Sequence, residues 1–193
     1  MWAHPTHNKA LSKVTLADNV SELLKSATGS SRQVAIDEPN PRFGPEMRVT
    51  SPVRGSARLL RTPNGVLVRA SLTTSIELEC SRCLEPLERD VTVDLAEEFL
   101  PSIHVVTGAP LDAPEDEALR IDERHVLDLT EAARQYIETA LPLQPLCSPT
   151  CRGLCPVCGT NLNVGTCTCA TDPAGASGPF AALAGLIGED HRP

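Results

Sequence analysis

Residues 62–83 read TPNGVLVRASLTTSIELECSRC, and this stretch decides the fold. It begins with Asn64-Gly65, a dipeptide that is the strongest short-range signal for a tight β-hairpin turn. After the turn, mostly apolar side chains recur at every second position from Val66 to Leu78, with mostly polar ones between them. A period of two places these two sets on opposite faces of a strand. The sequence therefore predicts a long, half-buried strand that ends at a Cys-x-x-Cys motif.

The chain on either side of this strand continues the pattern. Residues 48–61 lead into the turn, and Val91, Val93 and Leu95 alternate with polar residues after Pro86. We therefore predict three antiparallel strands, with the Cys-x-x-Cys motif at the second reversal.

A helix is predicted to begin at Asp128, and Glu131 completes a capping-box-like pattern three residues later. Pro142 ends the helix, because a proline disfavours helical backbone in the residue before it. Apolar residues at helical spacing form one stripe: Leu129, Ala132, Ala133, Tyr136, Ile137, Ala140 and Leu141.

These elements predict an α+β fold, an antiparallel β-meander with a packed helix and a C-terminal zinc-binding cysteine module. We divide the chain into four parts: 1–45, an N-terminal helix and loop region; 46–146, the meander and helix core; 147–169, the cysteine module; and 170–193, a linker and a short amphipathic helix. The first helix is expected around Leu16 to Leu24. Residues 28–46 and 100–127 are expected to be loops, because prolines punctuate both.

Composition excludes several classes of protein. Hydrophobic residues make up 41% of the 193 residues, which excludes a wholly disordered chain. Aromatic residues make up only 3%, so base stacking on aromatic side chains is a poor mode of binding for this chain. The formal net charge of −8 argues against a protein that coats nucleic acid by bulk electrostatics.

Whether the eight cysteines form disulfides or bind metal depends on whether their compartment is oxidising or reducing. The first residues do not resemble a signal peptide, and no apolar run approaches the roughly 20 residues that cross a bilayer. We therefore expect a cytoplasmic protein without membrane association. In the reducing cytosol, closely spaced cysteines are more often metal ligands than disulfides.

Eight thiols are the number that two tetrahedral zinc sites with four sulfur ligands each require. The favoured partition gives Cys155, Cys158, Cys167 and Cys169 a local site and lets Cys147 and Cys151 meet Cys80 and Cys83. The alternative joins Cys147, Cys151, Cys155 and Cys158, and sends Cys167 and Cys169 to Cys80 and Cys83. Either way the cofactor is Zn²⁺, two ions per chain.

A catalytic role for the metal is not favoured. Catalytic zinc usually has three protein ligands, often including histidine, plus a water molecule. Here the thiols fill two closed shells, and neither His104 nor His125 lies near a cysteine in the sequence. The motif Cys80-x-x-Cys83 also precedes a strand, whereas a thioredoxin-like motif opens a helix. We therefore predict no enzymatic activity and no small-molecule substrate.

Charge is divided along the chain. Residues 42–69 carry a net charge of +5, and residues 77–131 carry −12. The basic segment indicates a local RNA contact and the acidic one a basic protein partner, although two solvated faces would give the same pattern. The candidate RNA-binding residues are Arg54, Arg58, Arg61, Arg82 and Arg152.

The combined motif resembles the YceD family of large ribosomal RNA subunit accumulation proteins. The resemblance covers roughly residues 50–190 and rests on three features: Cys80-Ser-Arg-Cys83-Leu84 after an alternating strand, Leu141-Pro-Leu at the end of a helix, and CxxxCRGLCPVCGTNLNxGxCxC from Cys147. Arg82 matches the family's arginine, and its turns are matched by Gly153, Leu154, Gly159, Asn161, Leu162 and Asn163. The tail DPAGASGPF departs from the family, which has an aromatic residue soon after DPR.

The resemblance implies a non-enzymatic ribosome-biogenesis factor that supports 23S rRNA accumulation and large-subunit assembly. Its implied partners are ribosomal RNA, a basic large-subunit ribosomal protein, or both. The alternatives are a thiol-based enzyme and a zinc-handling protein, each of which would use Cys80 and Cys83.

Overall fold

The structure, a computed structural model, describes residues 12–112 and 116–169, which form two compact units. The sheet unit holds the described residues up to Glu79 and those from Pro86 to Pro145. The cysteine unit holds Cys80–Glu85 and the described residues from Leu146 onward. No helix among the described residues has the length and apolar character that crossing a membrane requires.

The sheet unit is built on a mixed sheet with two helices. Its helices are α1 (Ser21–Lys25) and α2 (Thr130–Ala140). Its strands are β1 (Ser12–Val14), β2 (Ala17–Asn19), β3 (Ser31–Glu38), β4 (Arg48–Val49), β5 (Val53–Arg61), β6 (Val66–Glu79), β7 (Pro86–Pro101), β8 (Arg120–Ile121) and β9 (Val126–Asp128). The spatial order is β1-β3-β5-β6-β7-β8-β9-β2, with β4 also paired to β6. The pairs β1–β3 and β7–β8 are parallel, and the other pairs are antiparallel.

The predicted antiparallel meander is confirmed in β5, β6 and β7. Strand β6 begins at Val66, directly after the Asn-Gly turn. Its apolar positions from Val66 to Ile76 are buried, because they face a core formed mainly by aliphatic side chains. Phe99, on β7, is the largest fully buried side chain among the described residues. The period-two pattern therefore determines which face of the sheet is buried.

Helix α2 begins close to the predicted residue. The Asp128 carboxylate accepts a hydrogen bond from the Thr130 amide at 2.8 Å. Ala132, Ala133 and Ile137 are buried, as the apolar stripe predicts. The expected capping-box role of Glu131 is wrong: its carboxylate binds the Arg134 guanidinium at 2.6 Å instead.

Three expectations about loops and the first helix need correction. The helix expected around Leu16 to Leu24 is limited to α1, because residues 17–19 form β2 and pair with β9. The expected loop over 28–46 contains β3, which pairs with β5 at eight positions and buries Val34 and Ile36. The expected loop over 100–127 contains β8 and most of β9.

The α+β class agrees with the observed helices and strands. The four-part division of the chain remains a prediction. The linker and the helix expected in 170–193 lie outside the described residues.

Candidate metal centres

The cysteine unit contains two groups of four sulfur atoms. The first cluster is Cys80, Cys83, Cys147 and Cys151, and the second cluster is Cys155, Cys158, Cys167 and Cys169. Within each cluster, the sulfur atoms lie within 4.8 Å of one another. All eight cysteines are free thiols. Each cluster could therefore hold one metal ion, and the sulfurs group in the partition that the spacing favours.

A tight reversal of the chain presents the first two thiols. The Cys80 amide donates to the Glu85 carbonyl at 2.9 Å, and the Leu84 amide donates to the Cys80 carbonyl at 3.0 Å. Leu84 adopts a φ of 61°, in the left-handed region, which turns the chain sharply after Cys83. Such a turn brings the two sulfurs of a Cys-x-x-Cys motif toward one point.

The segment from Cys147 to Leu154 is hydrogen-bonded to this reversal. The Arg82 guanidinium donates to the Cys151 carbonyl at 2.9 Å, and the Leu154 amide donates to the Arg82 carbonyl at 3.2 Å. Gly153, at φ 73°, packs so closely that an added Cβ would lie 3.1 Å from the Arg82 carbonyl oxygen. Arg82 therefore has a structural role, binding together the two segments that carry the first cluster.

The first cluster is compact and largely shielded from water. The Sγ atoms of Cys80 and Cys151 are 3.8 Å apart, and those of Cys83 and Cys147 are 3.6 Å apart. Disulfide sulfurs lie about 2.05 Å apart, so these pairs are not bonded. Three of the thiols are buried, and that of Cys147 is exposed.

The second cluster is more open and forms over a short stretch of chain. The Cys155 amide donates to the Thr160 carbonyl at 2.9 Å, and the Gly159 amide donates to the Cys155 carbonyl at 2.9 Å. Gly159 adopts a φ of 72° in this turn, a left-handed conformation that glycine tolerates. Cys155 is buried, whereas Cys158 is exposed and the other two thiols are half-buried.

Electrostatics are similar in the two clusters. Amide donors, first that of Cys147, lower the pKa of Cys80 to about 6, and Thr160 lowers the pKa of Cys158 to about 6. The thiol of Cys83 raises the pKa of Cys147 to about 12, and that of Cys158 raises the pKa of Cys169 to about 12. Each cluster thus combines thiols of lowered and raised pKa: Cys80 and Cys151 are lowered and Cys83 and Cys147 raised in the first, and Cys158 is lowered and Cys167 and Cys169 raised in the second. A cation among the four sulfurs would favour the thiolate form of all of them.

One polar residue that the motif analysis did not assign to the clusters contacts a sulfur. The Asn163 side-chain amide donates to Cys151 Sγ at 3.3 Å, and its carbonyl oxygen accepts from the Arg152 amide at 2.8 Å. The resemblance had matched Asn163 only to a turn. Its spacing from Cys151 carries no recognisable ligand pattern, so the sequence offered no direct signal for this contact.

The three candidate arginines of the sheet unit have different surroundings. Arg54 pairs with Asp37 at 3.3 Å, whereas Arg58 is exposed on the same strand. The Arg61 guanidinium is half-buried and donates to backbone carbonyls, including that of Leu24 at 3.2 Å. Arg82 and Arg152 belong to the cysteine unit and are exposed.

Comparisons with known proteins find relatives in bacteria and in a plant. An uncharacterized protein of Mycobacterium tuberculosis is 33% identical over 105 residues, covering 54% of this chain and 49% of its own length. The chloroplastic large ribosomal RNA subunit accumulation protein YCED homolog 1 of Zea mays is 29% identical over 144 residues, covering 62% of this chain and 49% of its own length. The chain spans about half the length of these relatives.

No solved structure matches the chain. The family profile of the large ribosomal RNA subunit accumulation protein YceD matches residues 68–187, which is more than half of the chain and includes all eight cysteines. The chain therefore belongs to the YceD family.

Proposed function

We propose that this protein is a non-enzymatic ribosome-biogenesis factor with two structural zinc ions. It supports accumulation of 23S rRNA and assembly of the large subunit. The observation that carries the zinc assignment is the pair of four-sulfur clusters. The ribosomal role rests on the family, whose name refers to large-subunit ribosomal RNA accumulation.

Sulfur geometry supports zinc in the first cluster. With zinc–sulfur bonds of about 2.3 Å, a tetrahedron places its sulfur atoms about 3.8 Å apart. The measured separations of 3.8 Å and 3.6 Å fit this arrangement. Four thiolates leave no open coordination position, which is typical of structural rather than catalytic zinc. The second cluster has the same donor set and would hold the second ion.

His104 gives no support to a catalytic site. Neither cluster includes a histidine among the described residues. His104 Nδ1 accepts hydrogen bonds from the Val106 and Thr107 amides, both at 3.2 Å, and so orders its own loop. The protein would therefore act by binding ribosomal RNA, a basic large-subunit protein, or both, in the cytoplasm. A small-molecule substrate is not part of the proposal.

A cellular experiment tests this function. Depletion of the protein is expected to lower the ratio of 23S to 16S rRNA, and re-expression of the wild type should restore it. A variant with Cys80→Ser and Cys155→Ser should fail to restore the ratio, because it lacks one ligand in each cluster. Ser81→Ala, an exposed change in the same reversal, serves as the matched control. An unchanged rRNA ratio after depletion would contradict the proposal.

The second candidate is a thiol-based or zinc-handling role for Cys80 and Cys83. The observation that favours it is the lowered pKa of Cys80, because a thiolate is the reactive form of cysteine. Burial of both side chains opposes it. Rapid loss of zinc to a chelator, with the fold intact, would support this role over the structural one.

A further inference from the structure

Two arginines lie directly opposite one another on the exposed face of the sheet. Arg58 on β5 pairs in register with Arg69 on β6, and both residues are exposed. Side chains that face each other across an antiparallel pair have Cβ atoms about 5 Å apart, and like charges there repel. This repulsion between the two guanidinium groups destabilises the fold unless a group of opposite charge lies close enough to offset it.

Among the described residues, no carboxylate forms an ion pair with either guanidinium. The Arg69 side chain makes no ion pair or hydrogen bond with the described residues, and the Arg58 guanidinium makes only a 3.4 Å contact with the Ser31 hydroxyl. Other arginines of this sheet are neutralised: Arg54 pairs with Asp37 at 3.3 Å, and Arg48 pairs with Glu77 at 3.0 Å. Arg58 and Arg69 therefore differ from their neighbours in having no carboxylate partner.

The positions nearest to the two arginines are mostly uncharged. Gln33 lies beside Arg58 on β3, and Ala96 lies beside Arg69 on β7. Two residues along the strands, on the same face, Ser56 lies opposite Ser71. These side chains line an open depression of about 440 Å³. Asp94, opposite Ser71, also lines it, and Glu98, opposite Leu67, lies on the other side. Both exposed carboxylates are diagonal to Arg69.

This chemistry fits one kind of ligand. Arginine guanidinium groups bind phosphate oxygens through paired N–H donors. The hydroxyls of Ser56 and Ser71 and the amide of Gln33 add neutral donors of the type that contact phosphates and ribose hydroxyls. The residues that share this face include no aromatic side chain, so the depression offers nothing on which a base could stack.

We infer that the Arg58–Arg69 pair binds the phosphate backbone of RNA. This inference rests on the proposed ribosomal function and names the surface through which RNA would be held. A basic protein is the less favourable occupant, because two unpaired guanidinium groups would repel it. The contact would be largely independent of sequence, since phosphate contacts position a protein without reading bases.

The test uses the full chain purified with its metal and an in vitro transcript of 23S rRNA. Binding is measured by filter retention at several salt concentrations. The variant Arg58→Gln/Arg69→Gln is expected to bind about tenfold more weakly at low salt. The slope of log affinity against log salt should fall by roughly 1 to 2, because up to two phosphate contacts are lost.

The matched control is Arg48→Gln/Arg134→Gln, which removes the same charge from arginines that already have carboxylate partners. It should bind within about twofold of the wild type, because no phosphate contact is lost. An equal loss in both variants would indicate general electrostatics and overturn the inference. So would a wild-type protein that does not bind RNA, or a variant that instead loses binding to a basic large-subunit protein.

Failure of this inference can be separated from failure of the proposed function. If depletion leaves the 23S to 16S ratio unchanged, the proposed function fails. If depletion lowers that ratio and Arg58→Gln/Arg69→Gln fully restores it while binding RNA normally, only the arginine surface is refuted.

Discussion

Each of the two cysteine clusters has four sulfur donors, but the sequence separation between donors is much larger in the first cluster than in the second. In the first cluster, Cys83 and Cys147 are separated by 64 positions, and the intervening chain includes β7 and α2. The second cluster lies within residues 155–169. The first cluster has three buried thiols, whereas the second has one buried, two half-buried and one exposed.

This difference in chain separation predicts a difference in energetics. Each doubling of a closed loop costs about 0.6 kcal/mol of chain entropy. The first cluster closes a loop almost three doublings longer than that between Cys158 and Cys167, a difference of about 2 kcal/mol. An unfolded chain can therefore hold metal at the second cluster more easily than at the first. Metal that also binds the unfolded state stabilises the fold less.

The largest expected effect is on the free energy of unfolding, when a single cysteine is replaced in one cluster or in the other. Cys80→Ser should lower the free energy of unfolding by about 3 kcal/mol, roughly a quarter of the binding free energy of a structural zinc ion. Cys167→Ser should cost about 1 kcal/mol, because the local cluster contributes less to the folded state. Urea denaturation of the metal-loaded proteins measures both values.

Hydrogen exchange and elemental analysis sharpen this comparison. Each variant should retain one zinc ion instead of two. Cys80→Ser should raise exchange in residues 80–85 and 146–154, whereas Cys167→Ser should raise it in residues 155–169. Equal costs and equal exchange patterns would contradict the distinction between the clusters. The exposed variant Ser81→Ala should match the wild type in both measurements.

Asn163 offers a way to weaken the first cluster without removing a ligand. Its amide donates to Cys151 Sγ, and loss of such a supporting hydrogen bond typically lowers metal affinity by about 10- to 100-fold. Asn163→Leu should therefore release one zinc ion to a competing chelator at lower chelator concentration. The other ion should be released as in the wild type. A uniform change at both sites would refute this assignment.

Two glycines with the same backbone conformation distinguish the packing around the clusters. Gly153 and Gly159 have φ values of 73° and 72°. An added Cβ at Gly153 would approach the Arg82 carbonyl oxygen to 3.1 Å, whereas at Gly159 nothing lies within 4 Å. Gly159→Ala should cost about 1 kcal/mol from backbone strain alone, and Gly153→Ala should cost more. Thermal unfolding of both variants tests the order, and the reverse order would contradict it.

The smallest expected effect lies outside both clusters, in helix α2. The Arg134 guanidinium lowers the pKa of Glu131 to about 2, from 4.5. The stabilisation is therefore complete above pH 4.5 and is lost as the pH falls toward 2. Since Glu131 is about half exposed, Glu131→Gln should cost only about 0.5 kcal/mol at pH 7.

Urea denaturation of Glu131→Gln and of the wild type should show a difference that shrinks between pH 4.5 and pH 2. Both zinc ions should be retained at pH 7. A difference that is constant with pH would exclude the ion pair as its cause.

Sequence periodicity predicted strand β6 better than strand β3, although both strands have partners on both sides. Strand β6 alternates over fourteen residues and follows an Asn-Gly turn, so local pattern and tertiary burial agree. Strand β3 has only Val34 and Ile36 as fully buried apolar positions, and Gly29 and Pro39 flank it. Its pairing with β5 decides its conformation, and the sequence carries little trace of that long-range contact.

The candidate sites show the same limit. Cysteine spacing favours the partition that the sulfur positions show, because a Cys-x-x-Cys turn presents two thiols at one point. For the arginines, cysteine-like spacing rules do not apply, and the register between strands is needed to tell which of them are neighbours. Alternation alone places Arg61 on the opposite face from Arg58, since the two are three residues apart on one strand. The pairing of β5 with β6 is what brings Arg69 opposite Arg58.

The 64-residue separation in the first cluster also sets a schedule for biosynthesis. At a synthesis rate of about 5–20 residues per second, Cys147 is polymerised roughly 3–13 s after Cys83. During that interval β7 and α2 are synthesised, and Cys80 and Cys83 lack the other two thiols of the cluster. The first cluster can therefore bind a metal ion with all four thiols only after the intervening chain has been synthesised.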